Sequence, residues 1–95
     1  MSRAIIRAVT VQLGGDNKTV EVIAELLEGQ VTAGMNVGIE LNHSMSVLVP
    51  VIQVTKLGDN KVKLTLDAED EEDAAFIKAL NFEDETLIVS ISSMT

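Results

Sequence analysis

Apolar and polar residues alternate through most of this chain, in short runs separated by turns rich in Gly, Asn and Asp. This alternation is typical of strands with one buried face, whereas an amphipathic helix repeats its apolar positions about every 3.6 residues. Hairpin turns are expected at residues 14–18 and 58–60, because both combine Gly with Asn and Asp. The pattern predicts six strands, at residues 4–13, 19–28, 37–42, 46–57, 61–67 and 86–92.

Two of these strands carry irregular features. In the first strand, alternation assigns Ile5, Val9, Val11 and Leu13 to the core and turns Ile6 outward. Arg7 interrupts this buried face. In the fourth strand, Pro50 cannot donate a hydrogen bond to a neighbouring strand. We therefore expect a bulge or a corner near Pro50.

A short helix is predicted at residues 70–80, before the last strand, because Phe76, Ile77 and Leu80 lie on one stripe. Asn81 can end this helix. With only two aromatic residues, the core must consist of Val, Ile and Leu. Closing the six strands into a barrel removes exposed edges. We predict an all-β fold, a small closed six-stranded antiparallel barrel with one short helix, as a single domain over residues 1–95 with a frayed tail at 93–95.

The connection between the second and third strands contains two glycines with distinct expected roles. Gly29 can turn the chain out of the second strand, Val31 can plug the barrel mouth, and Gly34 allows a turn with positive φ. The spacing resembles the signature of the β-barrel second domain of translational GTPases such as elongation factor Tu. The matching positions are Leu26, Gly29, Val31, Gly34 and Val37.

The resemblance implies a barrel of the translation-protein type, in a lineage whose members contact aminoacyl-tRNA or the ribosome. The chain departs from the family at Ala24, where Gly is usual, and in its longer acidic helix. We expect the barrel to be free-standing, without a GTPase domain. Gly29 and Gly34 have P-loop spacing, but Met35-Asn36 follows where Lys-Ser/Thr is needed to hold phosphate and magnesium. No nucleotide binding or GTP hydrolysis is expected.

The sequence offers little catalytic chemistry. It contains no cysteine, and His43 is its one histidine, with no nucleophile-elbow motif around the neighbouring serines. We expect no enzyme activity, no cofactor and no metal. The acidic run comprises Asp67 and the five residues from Glu69 to Asp73. An EF-hand is not predicted there, because the central Gly of that motif is missing.

Charge and composition restrict the partners. Fifteen acidic residues against seven basic ones give a formal net charge of −8, which repels phosphate backbones and anionic membranes. No apolar run approaches the roughly 20 residues of a membrane span. The lack of cysteine fits the reducing cytoplasm. We therefore expect a cytoplasmic protein with no membrane contact and treat nucleic acid as a disfavoured partner.

Two groups of residues have no evident role inside a barrel. Carboxylates in a first helical turn each stabilise the helix dipole by about 0.3–1 kcal/mol, but they can also attract a basic protein or calcium. Apolar side chains that face outward need cover from loops or from a partner. The candidate interface residues are Ile6, Leu27, Leu48, Ile52, Asp70, Glu71, Glu72 and Ile88.

The expected function is that of a non-enzymatic binding module that acts through protein–protein contacts. The first alternative is a structural subunit in which the outward apolar residues join identical chains into a homo-oligomer. The second alternative is an accessory factor bound to RNA or the ribosome, which the family resemblance favours and the negative charge opposes.

Overall fold

The computed structural model describes residues 3–42, 44–80 and 82–91. The six strands close into an antiparallel barrel in the order β1-β2-β5-β4-β3-β6, which confirms the predicted fold class. The tail at 93–95, His43 and the expected helix end at Asn81 lie outside the described residues. The elements are β1 (Arg3–Leu13), β2 (Thr19–Glu28), β3 (Asn36–Asn42), β4 (Met45–Gly58), β5 (Lys61–Asp67), α1 (Glu71–Ala79) and β6 (Thr86–Ser90).

The long strand β4 joins two neighbours in succession. Its first half pairs with β3 as far as Pro50, and its second half pairs with β5 from Val51 onward. The Val51 amide donates to the Met35 carbonyl at 2.8 Å, which anchors the changeover. Ile52 is an extra residue between two paired positions of β4. The irregularity expected near Pro50 is therefore a change of pairing partner followed by a bulge.

A bulge in β1 overturns part of the predicted core. Val9 is an extra residue between the pairs that Ala8 and Thr10 make with β2, so the strand changes face at this point. Before the bulge the even-numbered residues point inward, and Ile6 is 0% exposed. The assignment of Ile6 to an outer face was wrong for this reason. Leu13, expected in the core, is exposed.

The segment before β6 holds this bulge in place. The Ala8 amide donates to the Glu85 carbonyl at 3.0 Å, and the Val11 amide donates to Glu83 Oε2 at 2.9 Å. Glu83 lies 72 positions from Val11 in the sequence. A carboxylate from the other end of the chain thus accepts a hydrogen bond from a β1 amide beside the bulge.

The core is mostly aliphatic and contains one buried aromatic side chain. Phe82 is the largest fully buried side chain, and the strands contribute mainly Val, Leu and Ile. Each such side chain contributes roughly 1.5–3 kcal/mol when it is fully buried. The helix α1 turns Ala74 and Ile77 inward, whereas Phe76, expected on the same buried stripe, is 50% exposed. Burial of Phe76 was therefore a wrong prediction, although the helix itself lies within the predicted range.

Candidate functional site

Two of the predicted interface residues are exposed and lie at bulges. Leu27 is an extra residue of β2 opposite Ile5 and Ile6, and Ile52 is an extra residue of β4 opposite Leu66 and Thr65. Each side chain is 50% exposed. Single exposed apolar residues of this kind are common on protein surfaces. Neither residue lines the depressions beside Gly29, beside α1 or beside Gly38.

The other two apolar candidates lie together. Leu48 of β4 and Ile88 of β6 both pair with Gly38 of β3, one on each side. Leu48 is 58% exposed and Ile88 is 50% exposed, on the outer face of the barrel. Because glycine has no side chain, the two apolar residues stand on either side of a gap, which we call the Gly38 notch (Leu48, Gly38 and Ile88). The notch adjoins a depression of about 420 Å³ that includes Gly38, Ile88, Glu40 and Glu85.

Nothing within the described part of the chain requires glycine at position 38. A Cβ atom there would lie 3.6 Å from the Ile88 carbonyl oxygen and 3.7 Å from Leu48 Cδ2, which are ordinary van der Waals contacts. Gly38 does not have the positive φ that Gly29 and Gly34 have. Glycine inside a strand costs about 0.5–1 kcal/mol relative to alanine. Such a residue often marks the close approach of a ligand or of another backbone.

The apolar row extends beyond the notch. Ile5 of β1 pairs with Ile88 on the side away from Gly38 and is half-buried. The row therefore crosses β4, β3, β6 and β1 at one level of the barrel. Farther along the outer face of β1, Arg7 forms an ion pair with Glu25 at 3.7 Å.

The acidic candidates begin the helix. Asp70 is the N-cap of α1, and its Oδ1 accepts a hydrogen bond from the Asp73 amide at 2.8 Å. Glu71 and Glu72 lie in the first turn and are exposed. Their positions are those in which carboxylates stabilise a helix dipole. Capping of the helix and stabilisation of its dipole therefore account for Asp70, Glu71 and Glu72.

A different set of carboxylates meets apolar surface. Between β4 and α1 lies an open depression of about 370 Å³, which we call the β4–α1 groove. Sequence reasoning placed its carboxylates in the acidic run without separating them from the capping residues. Only the structure distinguishes them, because it places Asp67, Glu69 and Asp73 along the groove. The groove is lined by Val47, Leu48, Val49, Pro50, Asp67, Ala68, Glu69, Asp73, Phe76 and Ile77.

The glycine motif shapes the barrel mouth. Gly29 has φ +77°, and a Cβ atom there would collide with the Arg3 carbonyl oxygen. Gly34 has φ +101°, which confirms the predicted turn into β3. Val31 is 9% exposed and belongs to the core cluster. The first part of the motif, Leu26, Gly29 and Val31, lines a depression of about 740 Å³ together with the β4–β5 hairpin, which contributes Lys56 and Lys61.

Neither a cluster of metal ligands nor a membrane-spanning helix occurs among the described residues. Across residues 3–42, 44–80 and 82–91, no three His, Asp or Glu side chains form a group that could hold a metal ion. The described part of the chain also contains no helix of the length and apolarity needed to cross a membrane.

Comparisons with protein-family models, curated proteins and solved structures gave no significant match.

Proposed function

We propose that this chain is a non-enzymatic protein-binding module that docks its partner at the Gly38 notch. The observation that carries the proposal is a mid-strand glycine with room for a Cβ atom, placed between two half-exposed apolar residues. A glycine that lowers strand stability without a role in packing is accounted for when another molecule occupies the space above it.

The notch favours a protein as the bound molecule. Leu48 and Ile88 offer apolar walls, and the backbone of Gly38 is open to close approach. An apolar side chain from a partner, inserted between these walls, would lose contact with water on both sides. The half-buried Ile5 extends the apolar contact onto β1.

A binding role also agrees with the residue inventory. The chain lacks cysteine, a common catalytic nucleophile, and has a single histidine, the residue that most often acts as a general acid or base at neutral pH. The lack of cysteine also supports residence in the reducing cytoplasm.

We further propose that the barrel belongs to the lineage of the translation-factor second domain, which would favour an RNA- or ribosome-associated role as a second candidate. The positive φ values of Gly29 and Gly34 and the two lysines at the barrel mouth support this candidate. The formal charge of −8 opposes it, as does the absence of Trp and Tyr on which bases could stack.

The test of the protein-binding proposal compares three immobilised proteins in capture from the native lysate: the wild type, Ile88→Lys and the control Leu57→Lys. Leu57 is 49% exposed, much like Ile88, but does not line the depressions beside Gly29, beside α1 or beside Gly38. We expect a partner identified by mass spectrometry to bind the wild type and Leu57→Lys and to lose at least about tenfold in affinity for Ile88→Lys. Equal binding of the purified partner to all three proteins would refute docking at the notch.

Light scattering on the same three proteins tests the homo-oligomer alternative. Self-association of the wild type that Ile88→Lys abolishes would replace an external partner with a second copy of the chain. The net charge of −8 disfavours that outcome at low salt, because identical acidic surfaces repel each other.

A further inference from the structure

The β4–α1 groove is open because α1 packs against strands other than β4. The helix α1 contacts β1 and β2, and its inward side chains are Ala74 and Ile77. The side of α1 nearest β4 is left with an opening, in which Phe76 lies on one wall and Leu48 and Pro50 lie on the other. The groove thus presents apolar surface from two different elements.

Phe76 is the most informative residue of this groove. The chain has two phenylalanines, and the other, Phe82, is 1% exposed in the core. Phe76 leaves half of its surface in water. Large aromatic side chains supply much of the energy of protein interfaces when a partner covers them. An aromatic wall beside Leu48 therefore provides an anchor for an apolar side chain.

The carboxylates of the groove are positioned by the backbone. Asp67 Oδ1 accepts a hydrogen bond from the Glu69 amide at 2.9 Å, and Glu69 itself has φ +73°. Asp73 follows the N-cap and lies in the first turn of α1. The turn from β5 into α1 thus brings three acidic residues to the border of one apolar groove.

Charge identifies the occupant. Asp67, Glu69 and Asp73 line the groove, and Glu40 and Glu85 line the adjoining depression beside Ile88. Among the described residues that line either depression, none is a lysine or an arginine. A second copy of this acidic chain, or a nucleic acid, would bring further negative charge to this surface. A segment with lysines or arginines would bring the opposite charge.

We propose that the β4–α1 groove binds a basic amphipathic segment of a partner protein, with its apolar side chains against Phe76 and Leu48 and its lysines or arginines beside Asp67, Glu69 and Asp73. This inference rests on the proposed protein-binding function and specifies the chemistry of the partner. Leu48 belongs to both the groove and the Gly38 notch, so one bound partner can cover the two together. Its attraction to the groove weakens as salt rises.

The test uses a fluorescent amphipathic peptide of about 18 residues made of Leu and Lys, with a Leu/Glu counterpart and a scrambled Leu/Lys peptide. The groove variant is Asp67→Asn, Glu69→Gln and Asp73→Asn combined, and the amide oxygen introduced by Asp67→Asn can still accept from the Glu69 amide. The matched control combines Glu28→Gln, Glu71→Gln and Glu72→Gln. It also removes three negative charges from the formal total of −8, but at positions outside the groove. Anisotropy gives each affinity, and amide chemical shifts give the contact surface.

We expect the Leu/Lys peptide to bind the wild type more tightly than either other peptide does, and to lose about tenfold in affinity for the groove variant but less than about twofold for the control. Phe76→Ala should weaken binding more than Leu57→Ala does. Amide shifts should change at residues 47–50, 67–69 and 73–77. Equal losses in the two triple variants, shifts centred elsewhere, or no binding up to about 1 mM peptide would overturn the proposal.

Ile88→Lys keeps the two proposals apart, because Ile88 does not line the groove. If the groove variant binds the Leu/Lys peptide as tightly as the wild type does, while Ile88→Lys still weakens binding of the native partner, the basic-segment inference is overturned and docking at the notch stands. The reverse result, with a groove-dependent peptide and a native partner insensitive to Ile88→Lys, would overturn the notch and support the groove.

Discussion

Leu48 and Ile88 stand on opposite sides of Gly38 in three adjacent strands, with their side chains half-exposed on the outside of the barrel. Two strand spacings separate their backbones by roughly 10 Å. The residue between them lacks a side chain although a Cβ atom would make only ordinary contacts. Gly38 therefore leaves a gap between the Leu48 and Ile88 side chains on the outer face of the sheet.

Gly29 should tolerate substitution much less well than Gly34. Both have positive φ, which costs a residue with a Cβ about 1–2 kcal/mol. At Gly29 the added Cβ would also meet the Arg3 carbonyl oxygen, whereas at Gly34 the space is open. We expect Gly29→Ala to lower the free energy of unfolding by about 3 kcal/mol or more and Gly34→Ala by about 1–2 kcal/mol in urea denaturation. Equal losses would contradict the close approach of β1 to Gly29.

The two phenylalanines should differ sharply in their contribution to stability. Phe82 is 1% exposed, and Phe82→Ala should lower the free energy of unfolding by about 3–5 kcal/mol through loss of contacts and the cavity left behind. Phe76 is 50% exposed, and Phe76→Ala should cost less than about 1 kcal/mol. Thermal or urea unfolding of the two variants measures this difference. A larger loss for Phe76→Ala would show that the helix packs differently.

Glu83 should matter to the β1 bulge through its carboxyl oxygen. Glu83→Ala leaves the Val11 amide without its acceptor and should lower the free energy of unfolding by about 1–2 kcal/mol. Glu83→Gln keeps an oxygen at that position and should cost less. Glu85→Ala is the control, because Glu85 accepts from Ala8 through its backbone carbonyl. Faster hydrogen exchange at the Val11 amide in Glu83→Ala alone would support the assignment, and equal exchange in all variants would refute it.

Asp16 should contribute to the acid sensitivity of the protein. Hydrogen bonds from the Lys18 amide at 2.9 Å and from the Thr19 hydroxyl hold the pKa of Asp16 below its ordinary value of 3.8. A carboxyl with a lowered pKa in the folded state stabilises the fold above its ordinary pKa, and this contribution is lost as pH falls through the lowered pKa.

Asp16→Asn should therefore lose less stability than the wild type when the pH is lowered from about 5 to 2. Asp59→Asn, in the exposed turn after β4, controls for the removal of one carboxylate. Urea denaturation across this pH range measures how the free energy of unfolding of each protein depends on pH. If Asp16→Asn shows the same pH dependence as the wild type, the Asp16 hydrogen bonds do not form in solution.

Regular strands were the most predictable part of this fold. The bounds of β2 and β5 agree with the alternation pattern, because neither strand contains a bulge before its last three residues. The first strand was misread because Val9 carries no local mark of a bulge. The groups that hold the bulge, Glu83 and Glu85, belong to a segment far along the chain. Long-range pairing of this kind leaves no periodic signal in the strand itself.

The candidate surface was only partly predictable. The surplus of apolar residues in strands is visible in the sequence, and Leu48 and Ile88 were singled out correctly as exposed. Their meeting across Gly38 depends on strand order, because β3 pairs with β4 on one side and with the distant β6 on the other. The sequence pattern also could not separate the capping carboxylate Asp70 from the groove carboxylate Asp73, since both lie in one acidic run.

Filling the notch tests the central claim most directly. Gly38→Ala adds a Cβ atom where contacts are ordinary, and Gly38→Val adds a residue that favours strands, so the free energy of unfolding should stay level or rise by up to about 1 kcal/mol. The affinity for the partner, measured by calorimetry, should fall slightly for Gly38→Ala and at least about tenfold for Gly38→Val. Wild-type affinity in a folded Gly38→Val protein would contradict docking at the notch.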